Sequence, residues 1–330
     1  MAFYSTSSIT PDTLDYLRLT FGKRLQENAS LARYTAARTG GPAQALLEAG
    51  SARELEDGAR QLWEMGIPFF VLGGGSNVLV SDRGVPGVVL LNRARRIVFD
   101  ESDPQPAVWA ESGANFGLLA RQAAARGLSG LEWAAGIPGT LGGAIVGNAG
   151  AHGGDMTGSL LVADILHRKC TNSGEWITVK EQWPVDQLEY AYRSSILKRR
   201  PGKAVVLTGT LSLEPVDRAN VKAIQAKMDA FNEHRRCTQP PGASMGSMFK
   251  NPSGDYAGRL IEAAGLKGTQ HGGAEISNLH ANFFVNNGQA SAADVYALLK
   301  LAKKTVLQRF GVELELEIEL IGNWNSNERI

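Results

Sequence analysis

Only two cysteines, Cys170 and Cys237, occur in the 330 residues, far apart and without a C-x-x-C spacing. That scarcity argues against a disulfide framework and against a zinc site, leaving buried or idle thiols and no expected metal. No apolar run approaches the 18 residues that signal a membrane span. The opening Met1-Ala2-Phe3-Tyr4-Ser5-Thr6 has no basic stretch leading into an apolar core, so the expected compartment is the cytoplasm. Net charge is only +1, which implies no general attraction to nucleic acid or to a membrane surface. An anionic ligand would need a local basic cluster. The better-known nucleotide fingerprints are missing too: no G-x-x-x-x-G-K-[ST] occurs, and Gly73 and Gly75 lack a third glycine at 78, where Val78 stands.

Glycine, by contrast, is abundant, with 38 residues against a usual share of about 7%. It is concentrated in two loops. Gly136-Ile137-Pro138-Gly139-Thr140-Leu141-Gly142-Gly143-Ala144 runs on to Asn148-Ala149-Gly150, and Gly73-Gly74-Gly75-Ser76-Asn77 follows the apolar run Phe69–Leu72. Glycine permits close backbone approach and positive φ, and Pro138 biases Ile137 toward an extended conformation. Rows of exposed amides form anion sites. Two such loops suggest a diphosphate-bearing cofactor held between two lobes, although tight turns alone would also explain either one.

The remaining pattern is α+β. A short helix is expected over residues 12–21, then an irregular stretch to Gly40-Gly41-Pro42. A βαβ-like unit follows: a strand over 43–48, a capping box at Ser51-Ala52-Arg53-Glu54, and a helix with Leu55, Ala59, Leu62 and Met65 at helical spacing. The strand 68–72 delivers the chain to the first glycine loop. Further strands are predicted at 85–91 and 107–112, with a helix at 115–126. A hairpin at 161–169 and 175–180 and a strand at 204–213 follow. Past Pro215 come a helix near 217–234, a Pro/Gly/Ser stretch at 239–254, a helix reaching Ala264 and another from Ser291 to Phe310. A closing strand is expected at 313–321, where four glutamates alternate with apolar residues, giving one buried and one solvated acidic face.

Together with these loops, Arg38-Thr39-Gly40-Gly41-Pro42-Ala43, Gly130-Leu131-Glu132, Tyr192-Arg193-Ser194-Ser195, Gly246-Ser247-Met248-Phe249-Lys250-Asn251-Pro252 and His280-Ala281-Asn282-Phe283 form an ordered set of landmarks. The chain thereby resembles the UDP-N-acetylenolpyruvoylglucosamine reductase family from about residue 30 to 321. The resemblance implies a two-lobed FAD-binding unit of the vanillyl-alcohol-oxidase type, with lobes at 1–92 and 93–214, and a smaller α/β substrate-binding domain at 215–330. It implies non-covalent FAD, NADPH as reductant, and a UDP-sugar substrate whose enolpyruvyl ether is reduced for peptidoglycan synthesis. The spacing from Arg193 to Ser247 is similar to the family's shorter form. A monomer is expected.

The resemblance also implies site residues. Arg193, Ser247 and Glu317 take the catalytic positions. Gly73, Gly74, Gly75, Ser76, Asn77, Gly136, Ile137, Pro138, Gly139, Gly142, Gly143, Ala144 and Asn148 hold the cofactor, and Tyr192, Lys250, Asn251 and His280 contact substrate. Hydride addition to the vinyl β-carbon builds negative charge toward the carboxylate, which requires a cation there and an acid at the α-carbon. An arginine fork suits the first need. Ser247, by resemblance the acid, needs nearby positive charge, for which Lys250 is a candidate. Arg235, Arg236, Lys250 and Arg259 are available for the diphosphate. Leu316 and Glu319 stand where the family often carries basic residues, so the charge balance around Glu317 differs here.

Two other readings exist. Gly242-Ala243-Ser244-Met245-Gly246 matches G-x-S-x-G, but a nucleophile elbow needs a strand before the serine and a helix after it, and the flanking prolines oppose both. A related flavin oxidoreductase or a flavin-binding module with another substrate is the remaining alternative.

Overall fold

The computed structural model describes residues 8–102, 105–217 and 220–324. Met1–Thr6 and residues 218 and 219 of the helix expected near 217–234 lie outside them. Among the described residues, three sheets of four or five strands follow one another along the chain, each formed by one stretch of sequence, and three two-stranded pairs accompany them.

The first sheet carries the βαβ unit. Strands Pro42–Ala49 and Phe69–Leu72 both run parallel to Val85–Asn92. The helix Ala52–Glu64 between them buries Leu55, Ala59 and Leu62, and Gly58 lets it settle against Leu47 and Leu90. Its capping box is partial. Ser51 Oγ accepts from the Glu54 amide, but the Glu54 carboxylate accepts from the Gly50 amide instead of that of Ser51. A complete box opens the helix Ala292–Phe310, through Ser291 and Asp294.

The second sheet is antiparallel, with Ala107–Glu111, Leu160–Cys170, Trp176–Pro184 and Ala204–Ser212 among its five strands. It packs over the helices Phe116–Ala125 and Leu141–Gly147. Ile224 and Met228 of the helix Val221–Thr238 belong to this same core. The third sheet joins Ala243–Ser247, Phe283–Asn286, Ala274–Ile276 and Gln270–His271, covered by Ala257–Ala263 and Ala292–Phe310.

Four expectations need correction. The stretch before Gly40 contains a strand, Leu25–Ser30, antiparallel to Pro42–Ala49. It is mostly exposed and polar, so its backbone ladder left no apolar pattern to read. The Pro/Gly/Ser stretch contains the strand Ala243–Ser247. The closing strand is confined to Glu319–Ile321, which pairs parallel with Val78–Val80. Before it, the chain divides its hydrogen bonds: Lys250 N donates to Glu315 O, Glu317 N to Met248 O and Glu319 N to Asn77 O. A segment that bridges two bodies alternates like a strand without joining one ladder. Finally, Cys170 and Cys237 are both exposed, so neither is a buried thiol.

Candidate active site

The two glycine loops meet. A Cβ on Gly73 would lie 2.6 Å from Thr140 Oγ1, and one on Gly74 would lie 2.9 Å from the Cα of Gly139. Gly139 has φ +108°, and its absent Cβ makes room for Ser76 Oγ, which donates to Pro138 O at 3.3 Å. Part of the glycine requirement is thus loop-on-loop contact, which fixes one lobe against the other.

Two cavities flank this joint, of about 180 Å³ and 650 Å³. Ser76, Asn77, Thr140, Gly143 and Gly147 line both, so the two cavities adjoin. Gly143 and Gly147 leave the helix Leu141–Gly147 bare on this side: a Cβ on Gly147 would meet nothing within 4 Å. Gly73, Gly74, Gly75 and Gly142 line the smaller cavity, and Ile137, Pro138, Gly139 and Ala144 the larger.

Gly136 and Asn148 line neither cavity. Gly136, at φ +70°, makes room for the Arg235 side chain. Asn148 takes the left-handed conformation that ends its helix, and its Nδ2 donates to Ala191 O. Ser195, fully buried, donates to Val146 O at 2.6 Å and caps the helix Ile196–Arg199. These bonds lock the tight turn Ala191–Ser194, in which Arg193 has φ +53°.

That turn directs Arg193 into the larger cavity, where its Nε stands 2.7 Å from Glu317 Oε1. The pair is Coulombic, because the buried Nε–H has no aligned hydrogen-bond acceptor. Burial pushes the Glu317 carboxyl above its ordinary value, against the opposing pull of Arg193, Lys198 and Lys250. Ser247 ends its strand after an irregularity at Gly246, φ +77°, and lines the same cavity. Asn282 holds the following backbone: its side chain accepts from Phe249 N and donates to Phe249 O. His280 also lines the cavity, and burial pushes its imidazole pKa down.

The other expected substrate contacts lie elsewhere. Tyr192 is 56% exposed beneath the Arg193 guanidinium. Lys250 Nζ pairs with Glu315 Oε1 at 2.5 Å, and Asn251 Oδ1 accepts from Ala257 N. None of the three lines either cavity. Ser244 sits within a strand that no helix follows until Ala257, so the nucleophile elbow is absent.

Sequence reasoning missed Lys198 and the cavity face of the helix Val221–Thr238, from which His234, Arg235 and Thr238 line the larger space. Arg235 figured only among several available cations. The signal for that face was the spacing of Phe231, His234, Arg235 and Thr238. Nothing set Lys198 apart from its neighbours Arg199, Arg200 and Lys203.

Comparison with known proteins places this geometry. The family described as FAD binding domain matches residues 43–174. The one described as UDP-N-acetylenolpyruvoylglucosamine reductase, C-terminal domain, matches residues 238–321. The UDP-N-acetylenolpyruvoylglucosamine reductase of Chloroflexus aggregans is 45% identical over 300 residues, 90% of this chain and 97% of that protein. That of Bacillus subtilis is 40% identical over 297 residues, 89% and 93% respectively. The crystal structure of the reductase from Thermus caldophilus has a TM-score of 0.72 at 34% identity, over 90% of this chain and 99% of that one. The fold is α+β, with an FAD-binding domain followed by the reductase family's C-terminal domain. The chain belongs to the UDP-N-acetylenolpyruvoylglucosamine reductase family.

Proposed function

We propose that this protein reduces the enolpyruvyl ether of UDP-N-acetylenolpyruvoylglucosamine to UDP-N-acetylmuramate, with non-covalent FAD as cofactor and NADPH as reductant. The observation that carries the reading is the convergence of Arg193, Ser247 and Glu317 on one cavity that adjoins a second at the paired glycine loops. The residues fit the cofactor. Gly147 leaves open space where a side chain would stand, and the two adjoining cavities share the lining of both glycine loops. Gly73–Asn77 and Ile137–Gly143 would hold FAD, which when bound relays hydride from NADPH to the substrate.

The chain's own residues do the rest. Arg193, Lys198 and Arg235 set three basic side chains against the single carboxylate of Glu317 in the larger cavity, although burial pulls the Lys198 ammonium below its ordinary value, and this suits a substrate bearing a carboxylate and a diphosphate. Arg193 holds the carboxylate on which charge develops. Ser247 supplies the proton to the α-carbon. The cations beside it favour its transient anion, and Lys198 is better placed for this than Lys250, whose partner is Glu315. Glu317 orients Arg193 and stands ready to return a proton to the serine.

The same reading divides the chain at 1–92, 93–214 and 215–330, one sheet of four or five strands in each segment. It makes the protein a cytoplasmic monomer of peptidoglycan precursor synthesis, with no nucleic acid or membrane partner. No helix of the described residues is long and apolar enough to cross a membrane. Incubation with NADPH and the enolpyruvyl sugar nucleotide, followed by mass spectrometry, tests the assignment. The expected product carries two more hydrogens, and an unchanged substrate would reject it.

A further inference from the structure

At the boundary between the two cavities lie two pairs of neighbours in sequence. Leu197 and Glu319 line the smaller cavity, and Lys198 and Glu317 the larger. The Lys198 side chain, 18% exposed, comes from the short helix capped by Ser195. Its Nζ donates to the backbone carbonyl of Glu317 at 3.3 Å and lies 4.0 Å from Glu319 Oε1. One ammonium therefore meets two of the glutamates of the last segment, Glu317 through its backbone carbonyl and Glu319 through charge.

Resting on the proposed reduction, we propose that Lys198 is a positioning residue. It fixes the Glu317 backbone so that the carboxylate meets Arg193, and it balances Glu319, which stands where the family often carries a base. Two further observations agree. The segment around Glu317 has no continuous ladder to hold it, so the Lys198 bond, the Asn77 Nδ2 bond to the same carbonyl and the amide bond to Met248 O fix it instead. The charged groups facing Glu317 are Arg193, Lys198 and Lys250, with Glu315 and Glu319 on its own segment, so loss of one cation moves a local balance of three against three.

The test is a pair of variants assayed with saturating FAD. Lys198→Met leaves Glu319 buried without its cation, and loss of folding would be ambiguous by itself. Lys198→Met/Glu319→Gln removes that burden. The double variant is expected to regain flavin occupancy and bleaching by NADPH. Its re-oxidation by the enolpyruvyl sugar nucleotide should stay about 10²-fold slow, because the Glu317 carbonyl has lost the Lys198 bond that positions it, whereas its pH profile should move little, one cation and one carboxylate having been removed together. Lys198→Arg should recover part of the rate. A double variant with wild-type re-oxidation, or a Lys198→Arg variant no faster than Lys198→Met, would overturn the proposal and reduce Lys198 to a counter-ion for Glu319. Wild-type enzyme that never reduces this substrate would instead reject the proposed function and leave the pairing untouched.

Discussion

Arg193 and Glu317 stand 2.7 Å apart, although one lies in a tight turn of the second lobe and the other on the final segment that returns to the first. Their pairing brings distant parts of the chain together in the proposed reducing site. Arg193→Lys keeps the charge but loses the planar fork. It is expected to slow re-oxidation by substrate at least about tenfold, roughly the value of one lost charge-assisted hydrogen bond. Bleaching by NADPH should be little changed. Equal losses in the two half-reactions, followed by stopped-flow absorbance, would assign Arg193 a general structural role.

The glycine loops make two separable predictions. Gly139→Val forces a β-branched side chain into a positive-φ position against Ser76, and should lower both stability and flavin content. Gly147→Leu has free space at its Cβ, so it should fold with a near-normal melting temperature and lose at least about tenfold in FAD affinity by filling the cavities. Flavin titration of purified protein checks both. A Gly147→Leu protein with full occupancy would contradict the placement of the cofactor.

Glu317 also makes stability depend on pH. Its folded-state pKa is raised from 4.5 by burial, so its favourable contribution is complete below 4.5 and is lost as pH rises through the higher folded value. Glu317→Gln cannot ionise. Its melting temperature relative to wild type should therefore rise from pH 4 to pH 8, while turnover falls. Calorimetry of the two flavin-saturated proteins would show this, and a gap that narrows with pH would contradict the burial account.

Where a local signal existed, the fold was legible in the sequence. The periodicity of Leu55, Ala59 and Leu62 and the caps at Ser51 and Ser291 mark elements that the structure contains. The edge strand Leu25–Ser30 escaped because its ladder needs no apolar face. Glu317 and Glu319 looked like part of a solvated stripe, since alternation reports faces but not which other body covers them. Lys198 was invisible for a related reason: its role depends on a carbonyl more than a hundred residues away. Asn148, by contrast, holds the turn that carries Arg193 and does not line the cofactor cavities.

The most direct test of the central claim is rapid-mixing absorbance of the flavin in wild type and in Ser247→Ala, with Ser244→Ala as control. Wild type should be yellow, bleach with NADPH and regain colour with the enolpyruvyl sugar nucleotide. Ser247→Ala should bind FAD and bleach normally, because neither step uses the serine proton. Its return of colour should be roughly 10²–10⁴-fold slower, whereas Ser244→Ala should match wild type. A Ser247→Ala enzyme that recovers at the wild-type rate would remove the proposed acid, and a colourless wild-type protein that NADPH does not affect after FAD is added would contradict the account as a whole.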